Sequence, residues 1–296
     1  MRSGTALERT RSSAAQRHRA VGTLLASLVL LAGPAQAAVA WTESVIRAPV
    51  GAGRERVEID VTVLRPKGTG PFPIVVLSHG SPRAAAERRA DGRQRLTAQS
   101  EPFIAMGYAV IVPTRRGYGH SGGEWAEGYG PCGDPDYYGA GLETARDVRA
   151  AVDAVRAEPW ADARKVILAG QSAGGFGSVA AASQPFEGLV AVINFAGGRG
   201  SMDAGKVCAE SRLVDAMARY GGAARVPELW LYSANDRFFA PPLARRMYDA
   251  FVSSGGKAEF VEAPATGLDG HSYFARAVDD WAPRVRRFLQ RAGAIR

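Results

Sequence analysis

Short apolar runs recur along the chain and alternate with stretches whose apolar residues return every third or fourth position. Residues 74–77, 108–113 and 166–169 form the first group, each the length of a strand buried on both faces, and residues 189–195, 228–233 and 257–262 also read as strands. Residues 96–106, 142–156, 176–183, 242–253 and 273–292 form the second. In the helix at 142–156, Ala145, Val148, Val152 and Val155 share one face. Two strands precede these, at 42–50 and 56–65. In the latter Val57, Ile59, Val61 and Val63 alternate with Glu58, Asp60 and Thr62, which predicts a half-exposed antiparallel edge. Strand and helix then alternate to the end, so the expected fold is α/β: a doubly wound, mostly parallel sheet with helices on both faces. Three segments break the rhythm. Residues 84–95 read as a surface excursion and 125–141 as an irregular Gly-, Pro- and aromatic-rich loop. Residues 197–222 read as a small insertion over the sheet's edge, after the strand at 189–195.

The amino-terminal residues follow a different pattern. An Arg-bearing start leads into an apolar run at 21–32, then Gly33-Pro34 and Ala35-Gln36-Ala37, the layout of a secretory signal with its cleavage site. The run is short of the ~20 residues that a membrane span needs. Residues 1–37 are therefore expected to be a signal peptide and residues 38–296 a single domain, secreted or periplasmic, with no stable membrane anchor after cleavage; a retained anchor is the alternative. This segment also distorts the charge. Of the net +8, it supplies five Arg against one acid, and the rest of the chain holds 32 basic and 28 acidic residues without a dense basic cluster. A nucleic-acid partner is not expected. Cys132 and Cys208 are the only cysteines. An even pair in an exported protein reads as one disulfide, with two buried free thiols as the alternative.

The chemistry centres on residues 165–175, where the strand at 166–169 runs into Gly170-Gln171-Ser172-Ala173-Gly174 and then a small-residue helix. Strand, tight turn and helix are the context in which G-x-S-x-G presents a nucleophile. A serine nucleophile needs a base, and the base an orienting acid. Of the four histidines, His18, His79, His120 and His271, only His271 follows Ser172 in the order Ser, acid, His. Asp236, at the end of the strand at 228–233, is the expected acid, with Asp269 its rival and Asp203 and Asp215 weaker ones. A capping role is the other reading of Asp236. The expected oxyanion donors are the N–H groups of Ala173 and of Ser81, since Pro82 has none. Trp125, Tyr129, Tyr137 and Tyr138 either wall a substrate pocket or pack an otherwise core-poor loop. Arg115 and Arg116 read as loop-anchoring salt bridges, with binding of an acidic substrate the alternative. No metal-ligand spacing, phosphate loop or dinucleotide fingerprint is present, so no metal or cofactor is expected.

Taken together, residues 71–80, 116–122, 170–174, 233–236 and 270–271 resemble the α/β-hydrolase superfamily, within it the dienelactone-hydrolase-like and prolyl-oligopeptidase-like serine esterase branches. The resemblance implies a triad of Ser172, Asp236 and His271 acting on a small-molecule ester. Serine stands where dienelactone hydrolases carry cysteine, so a dienelactone substrate is not implied. No β-propeller of the oligopeptidase kind is found, so esters are expected ahead of peptides. A serine peptidase, an acyltransferase or a non-catalytic binding protein on the same scaffold are the alternatives; oligomeric state is left open.

Overall fold

The computed structural model describes residues 40–90 and 92–295, so the signal-peptide reading of residues 1–37 lies outside it. Ten strands and eight α-helices follow in order: β1 Trp41–Val50, β2 Val57–Pro66, β3 Phe72–Ser78, α1 Ala85–Ala90, α2 Thr97–Ala105, β4 Ala109–Pro113, α3 Tyr137–Val155, β5 Ala161–Gln171, α4 Ala173–Ala182, β6 Leu189–Phe195, β7 Ser201–Asp203, β8 Lys206–Val207, α5 Glu210–Ala223, β9 Glu228–Ser233, α6 Pro241–Ser253, β10 Ala258–Ala263, α7 Tyr273–Arg276 and α8 Val278–Arg291. Eight strands form one sheet in the order β1-β2-β4-β3-β5-β6-β9-β10, and β7 and β8 make a separate hairpin. β1, β2 and β4 pair antiparallel; all other neighbours in the large sheet are parallel.

Two apolar layers cover the sheet. One packs α3, α4, α5 and α6 through Val148, Phe176, Leu213 and Met247. The other packs α2, α7 and α8 through Phe103, Tyr273 and Trp281. The doubly wound expectation holds, and it sets the site: in such sheets ligands gather outside the carboxyl ends of the parallel strands. β5 lies near the middle, between β3 and β6, so its carboxyl end at Gly170 is flanked by Ser78 and Asn194.

Several boundaries differ from expectation, each for a local reason. β2 is an inner strand, and β1 forms the edge. The polar alternation in β2 does not mark solvent, because Asp60 is buried against Arg47 at 2.9 Å, and the buried Thr62 hydroxyl donates to Gln94 O at 2.6 Å. α3 begins at Tyr137 rather than 142, since Asp136 accepts from Gly139 N at 2.8 Å and starts the helix inside the presumed loop. Within 197–222, Glu210–Ala223 is an ordinary crossover helix that buries Leu213, Met217 and Tyr220; only the β7–β8 hairpin projects. The last helix is broken at Ala277 into α7 and α8.

Cys132 and Cys208 are bonded, 76 positions apart. The bridge ties the 125–136 loop to the β7–β8 hairpin. Closing so long a loop stabilises by about 4 kcal/mol in the chain-entropy model. The double substitution Cys132→Ser/Cys208→Ser is expected to lower the unfolding free energy by a comparable amount in denaturant titration; an unchanged unfolding free energy would show that the tether carries no stability.

Glu228 is buried at the start of β9. Its Oε2 accepts from Trp230 Nε1 at 2.7 Å, and its Oε1 has no partner. Burial pushes its carboxyl up to about 8. The folded state therefore holds a proton there that the unfolded chain releases above its own value near 4.5. The protonated acid's contribution is complete below that value and is lost as pH rises towards 8, at about 1.4 kcal/mol per pH unit. Glu228→Gln is expected to match wild type near pH 4.5 and to exceed it in stability at pH 8; parallel stability–pH curves would contradict this.

Candidate active site

Between β5 and α4 the backbone of Ser172 adopts φ 56° and ψ −123°, a conformation that L residues rarely hold. Such a position costs roughly 1–3 kcal/mol and persists only where neighbours over-determine it. Three backbone hydrogen bonds do so here. Ser172 N donates to Phe195 O at 3.0 Å, and Ser172 O accepts from Phe176 N at 2.9 Å and Gly198 N at 3.2 Å. The flanking glycines are sterically required: a Cβ on Gly174 would sit 2.1 Å from Ser78 O, and one on Gly170 2.5 Å from the Gly174 carbonyl carbon. The turn thus sets the Ser172 side chain at the sheet's carboxyl edge, where two cavities meet it.

His271 and Asp236 arrive from the far side. His271 Nδ1 lies 3.1 Å from Asp236 Oδ2, and both residues are buried. The other carboxylate oxygen, Oδ1, accepts from Phe238 N at 2.7 Å and Phe239 N at 2.9 Å. Asp236 therefore both faces the imidazole and braces its own turn, but it does not cap α6, whose N-cap is Ala240 with no side-chain bond. Asp269 is not the imidazole's partner; its Oδ1 accepts from the backbone N–H of His271 and Arg237, fixing the loop. Gln171 Nε2 donates to His271 O at 2.7 Å and links that loop to the elbow. Phe238 stacks on the imidazole with centroids 4.0 Å apart. Ser172 and His271 line the same cavity of about 570 Å³, and no hydrogen bond joins Ser172 Oγ to the ring.

Ser81 lines both cavities, and Ala173 the smaller one. Among the described residues, neither backbone N–H donates to another protein group. The Ser81 side chain is tied down: the Tyr118 hydroxyl lies 2.8 Å from Ser81 Oγ and accepts from Trp125 Nε1 at 3.0 Å.

Beneath this loop lies a buried charge cluster that no local sequence pattern marks. Arg115 and Glu127, both fully buried, form an ion pair, and Arg115 Nη1 donates to His79 O at 2.6 Å and Ser78 Oγ at 3.1 Å. Arg199, 55 residues beyond Thr144, donates to Glu127 Oε2 at 2.9 Å and to Thr144 Oγ1. Burial alone would raise the Glu127 acid, but Arg115 and Arg199 outweigh it and hold the carboxyl far below its ordinary range. Burial, reinforced by Arg115, pushes His79 down to about 3. His79 is therefore a neutral scaffold residue, its Nε2 accepting from Arg115 N at 3.3 Å. Arg116 pairs with Asp147 at 2.5 Å and Glu143 at 2.8 Å. Both arginines are loop anchors, and neither lines a cavity beside Ser172.

Of the aromatic residues, Trp125 and Tyr129 line the smaller cavity. Tyr137 and Tyr138 do not. The Tyr137 hydroxyl donates to Cys208 O at 2.6 Å, and Tyr138 stacks on Tyr220. Both belong to the first turn of α3, so a substrate-binding role for them is set aside. Phe238 and Phe239 take their place in the wall, supplied by the turn that Asp236 braces. No helix among the described residues is long and apolar enough to cross a membrane.

The sheet order and the strained serine turn define an α/β-hydrolase with a serine-hydrolase-type fold. Residues 53–261 match the family model described as X-Pro dipeptidyl-peptidase (S15 family). The chain belongs to that family. No curated protein matches the sequence. Among solved structures, an esterase of Pyrococcus furiosus shares 16% identity with a TM-score of 0.59, covering 85% of this chain and 90% of the esterase. The acylaminoacyl peptidase of Pyrococcus horikoshii shares 17% identity with a TM-score of 0.61, over 84% of this chain but only 41% of the peptidase. A Klebsiella pneumoniae protein named as a dienelactone hydrolase shares 20% identity with a TM-score of 0.53, covering 86% of this chain and 99% of that one. At these identities the likeness is one of fold.

Proposed function

We propose that this protein is an exported serine hydrolase that cleaves carboxylic esters through an acyl-enzyme on Ser172. The observation that carries the reading is the strained Ser172 turn, facing the cavity that a buried His271–Asp236 pair also lines. In the proposed cycle, His271 Nε2 takes the Ser172 proton as Oγ attacks the ester carbonyl, then returns it to the leaving alcohol. Water enters, gives a proton to His271 and attacks the acyl carbon; Ser172 leaves with that proton, and the acid is released. Asp236 keeps the imidazole in the tautomer with Nδ1 protonated and stabilises its charged form. The unpaired N–H groups of Ala173 and Ser81 would receive the developing oxyanion. A rotation of His271 off Phe238 towards Ser172 is part of the reading, since catalytic hydrogen bonds often tighten only with substrate bound. Export is supported by the leader-like residues 1–37 and by the disulfide, which fits an oxidising compartment.

Hydrolysis of amides is the second reading, favoured by the family match and by the likeness to acylaminoacyl peptidase. Stopped-flow hydrolysis of p-nitrophenyl acetate, set beside a series of aminoacyl p-nitroanilides, separates the two. The ester reading expects a burst of one p-nitrophenol per protein and kcat/KM higher for the ester. Anilides preferred over esters would move the assignment to peptidase.

A further inference from the structure

The smaller cavity beside Ser172 and Ala173 has a one-sided charge. It measures about 120 Å³, and its lining includes Arg83, Arg88 and Arg199 but no carboxylate. Arg199 is the buried member: its side chain is 2% exposed, and its Nε has no hydrogen-bond partner. Glu127, the acid paired with Arg199, is also paired with Arg115, so one carboxylate serves two guanidinium groups. Among the described residues, the Arg88 side chain makes neither a hydrogen bond nor an ion pair, and its guanidinium lies 3.9 Å from the centroid of the Trp125 ring. Arg83 lies 3.9 Å from the Phe238 ring centroid, and donates to Ser201 O at 3.0 Å and Ser201 Oγ at 2.9 Å, which leaves N–H groups to spare. The aromatic faces hold both planes in place without neutralising them. A cavity of 150 Å³ takes a benzene-sized guest, so about 120 Å³ has room for roughly five heavy atoms.

We propose that this cavity is an acyl subsite for a short chain ending in a carboxylate, so that the substrates are half-esters of short dicarboxylic acids, malonyl- to succinyl-sized. This rests on the reading of Ser172 as the nucleophile, since the cavity is placed relative to that atom. The two methylenes of a succinyl group and its carboxylate fill the available volume, and a guanidinium fork matches a carboxylate in charge and geometry.

The test compares monomethyl succinate with methyl levulinate, a neutral ester of nearly the same shape, by pH-stat at pH 7.5. Arg88→Gln is the variant of choice, because Arg88 anchors no ion pair among the described residues. Wild type is expected to show kcat/KM at least about tenfold higher for the succinate half-ester, carried mainly by KM; Arg88→Gln is expected to cut that ratio about tenfold. A wild-type ratio of one or less, or a ratio unmoved by Arg88→Gln, overturns the proposal. A binding arm is independent of turnover. In the Ser172→Ala protein, calorimetry is expected to give monomethyl succinate a Kd about tenfold below that of methyl levulinate, and Arg88→Gln in that background to remove the difference. Equal Kd values overturn the subsite. Ester hydrolysis that does not depend on Ser172 overturns the catalytic reading instead, and the binding arm still decides the subsite.

Discussion

Ser172→Ala is expected to lower kcat for p-nitrophenyl acetate by on the order of 10⁶-fold, with the unfolding midpoint unchanged. A magnitude of this kind follows when the atom that forms the acyl-enzyme is removed while the oxyanion donors and the pocket stay in place. Stability is expected to hold because the three hydrogen bonds that fix residue 172 all use its backbone. Alanine at φ 56° carries the same conformational cost as serine, so no strain is relieved or added. Steady-state kinetics and a thermal melt on the same preparation check both halves. Activity within a hundredfold of wild type would remove Ser172 from the chemistry.

The second large effect is expected at Asp236. Asp236→Asn keeps an oxygen to accept from Phe238 N and Phe239 N, so the turn that positions His271 is retained. What changes is the partner of His271 Nδ1: an amide can offer N–H there and favour the wrong tautomer, for which a loss of about 10⁴-fold in kcat is the precedent in another serine hydrolase. Asp236→Ala removes both roles. It is expected to lose comparable activity and also about 1–3 kcal/mol of stability, because one buried and one part-buried N–H group lose their acceptor. Denaturant titrations of the two variants beside their kinetics separate orientation from bracing. Full activity in Asp236→Asn beside a destabilised Asp236→Ala would show that the carboxylate serves the turn alone.

The parts of the molecule legible in the sequence are those where one local signal suffices. β6 matches its predicted bounds because Leu189–Phe195 is apolar at every position but Asn194 and lies between Gly188 and Ala196-Gly197. The elbow is legible because backbone crowding demands glycine at 170 and 174 and leaves a recognisable spacing. Errors arise where burial depends on distant partners. Asp60 and Thr62 look solvent-facing until Arg47 and the Gln94 carbonyl are brought to them. α5 is diluted by Ala216 and Gly221 among its buried positions, so its apolar stripe is thin. Glu127 and Arg199 are 72 residues apart, and no spacing rule joins them. Phe238 and Phe239 could have been suspected, since they follow Asp236 directly and a carboxylate that braces its own turn carries the next residues with it. Tyr137 and Tyr138 misled because an aromatic pair beside a loop looks like a wall, whereas the Asp136 cap turns them into a helix and against Cys208 and Tyr220.

At the centre of this account is a serine made reactive by its surroundings. Incubation of the purified protein with a fluorophosphonate, followed by intact-mass and peptide mapping, tests that directly. One phosphonyl adduct per chain, located on Ser172 and lost in His271→Ala, is the predicted result. An unlabelled protein, or an adduct on any other residue, would contradict it.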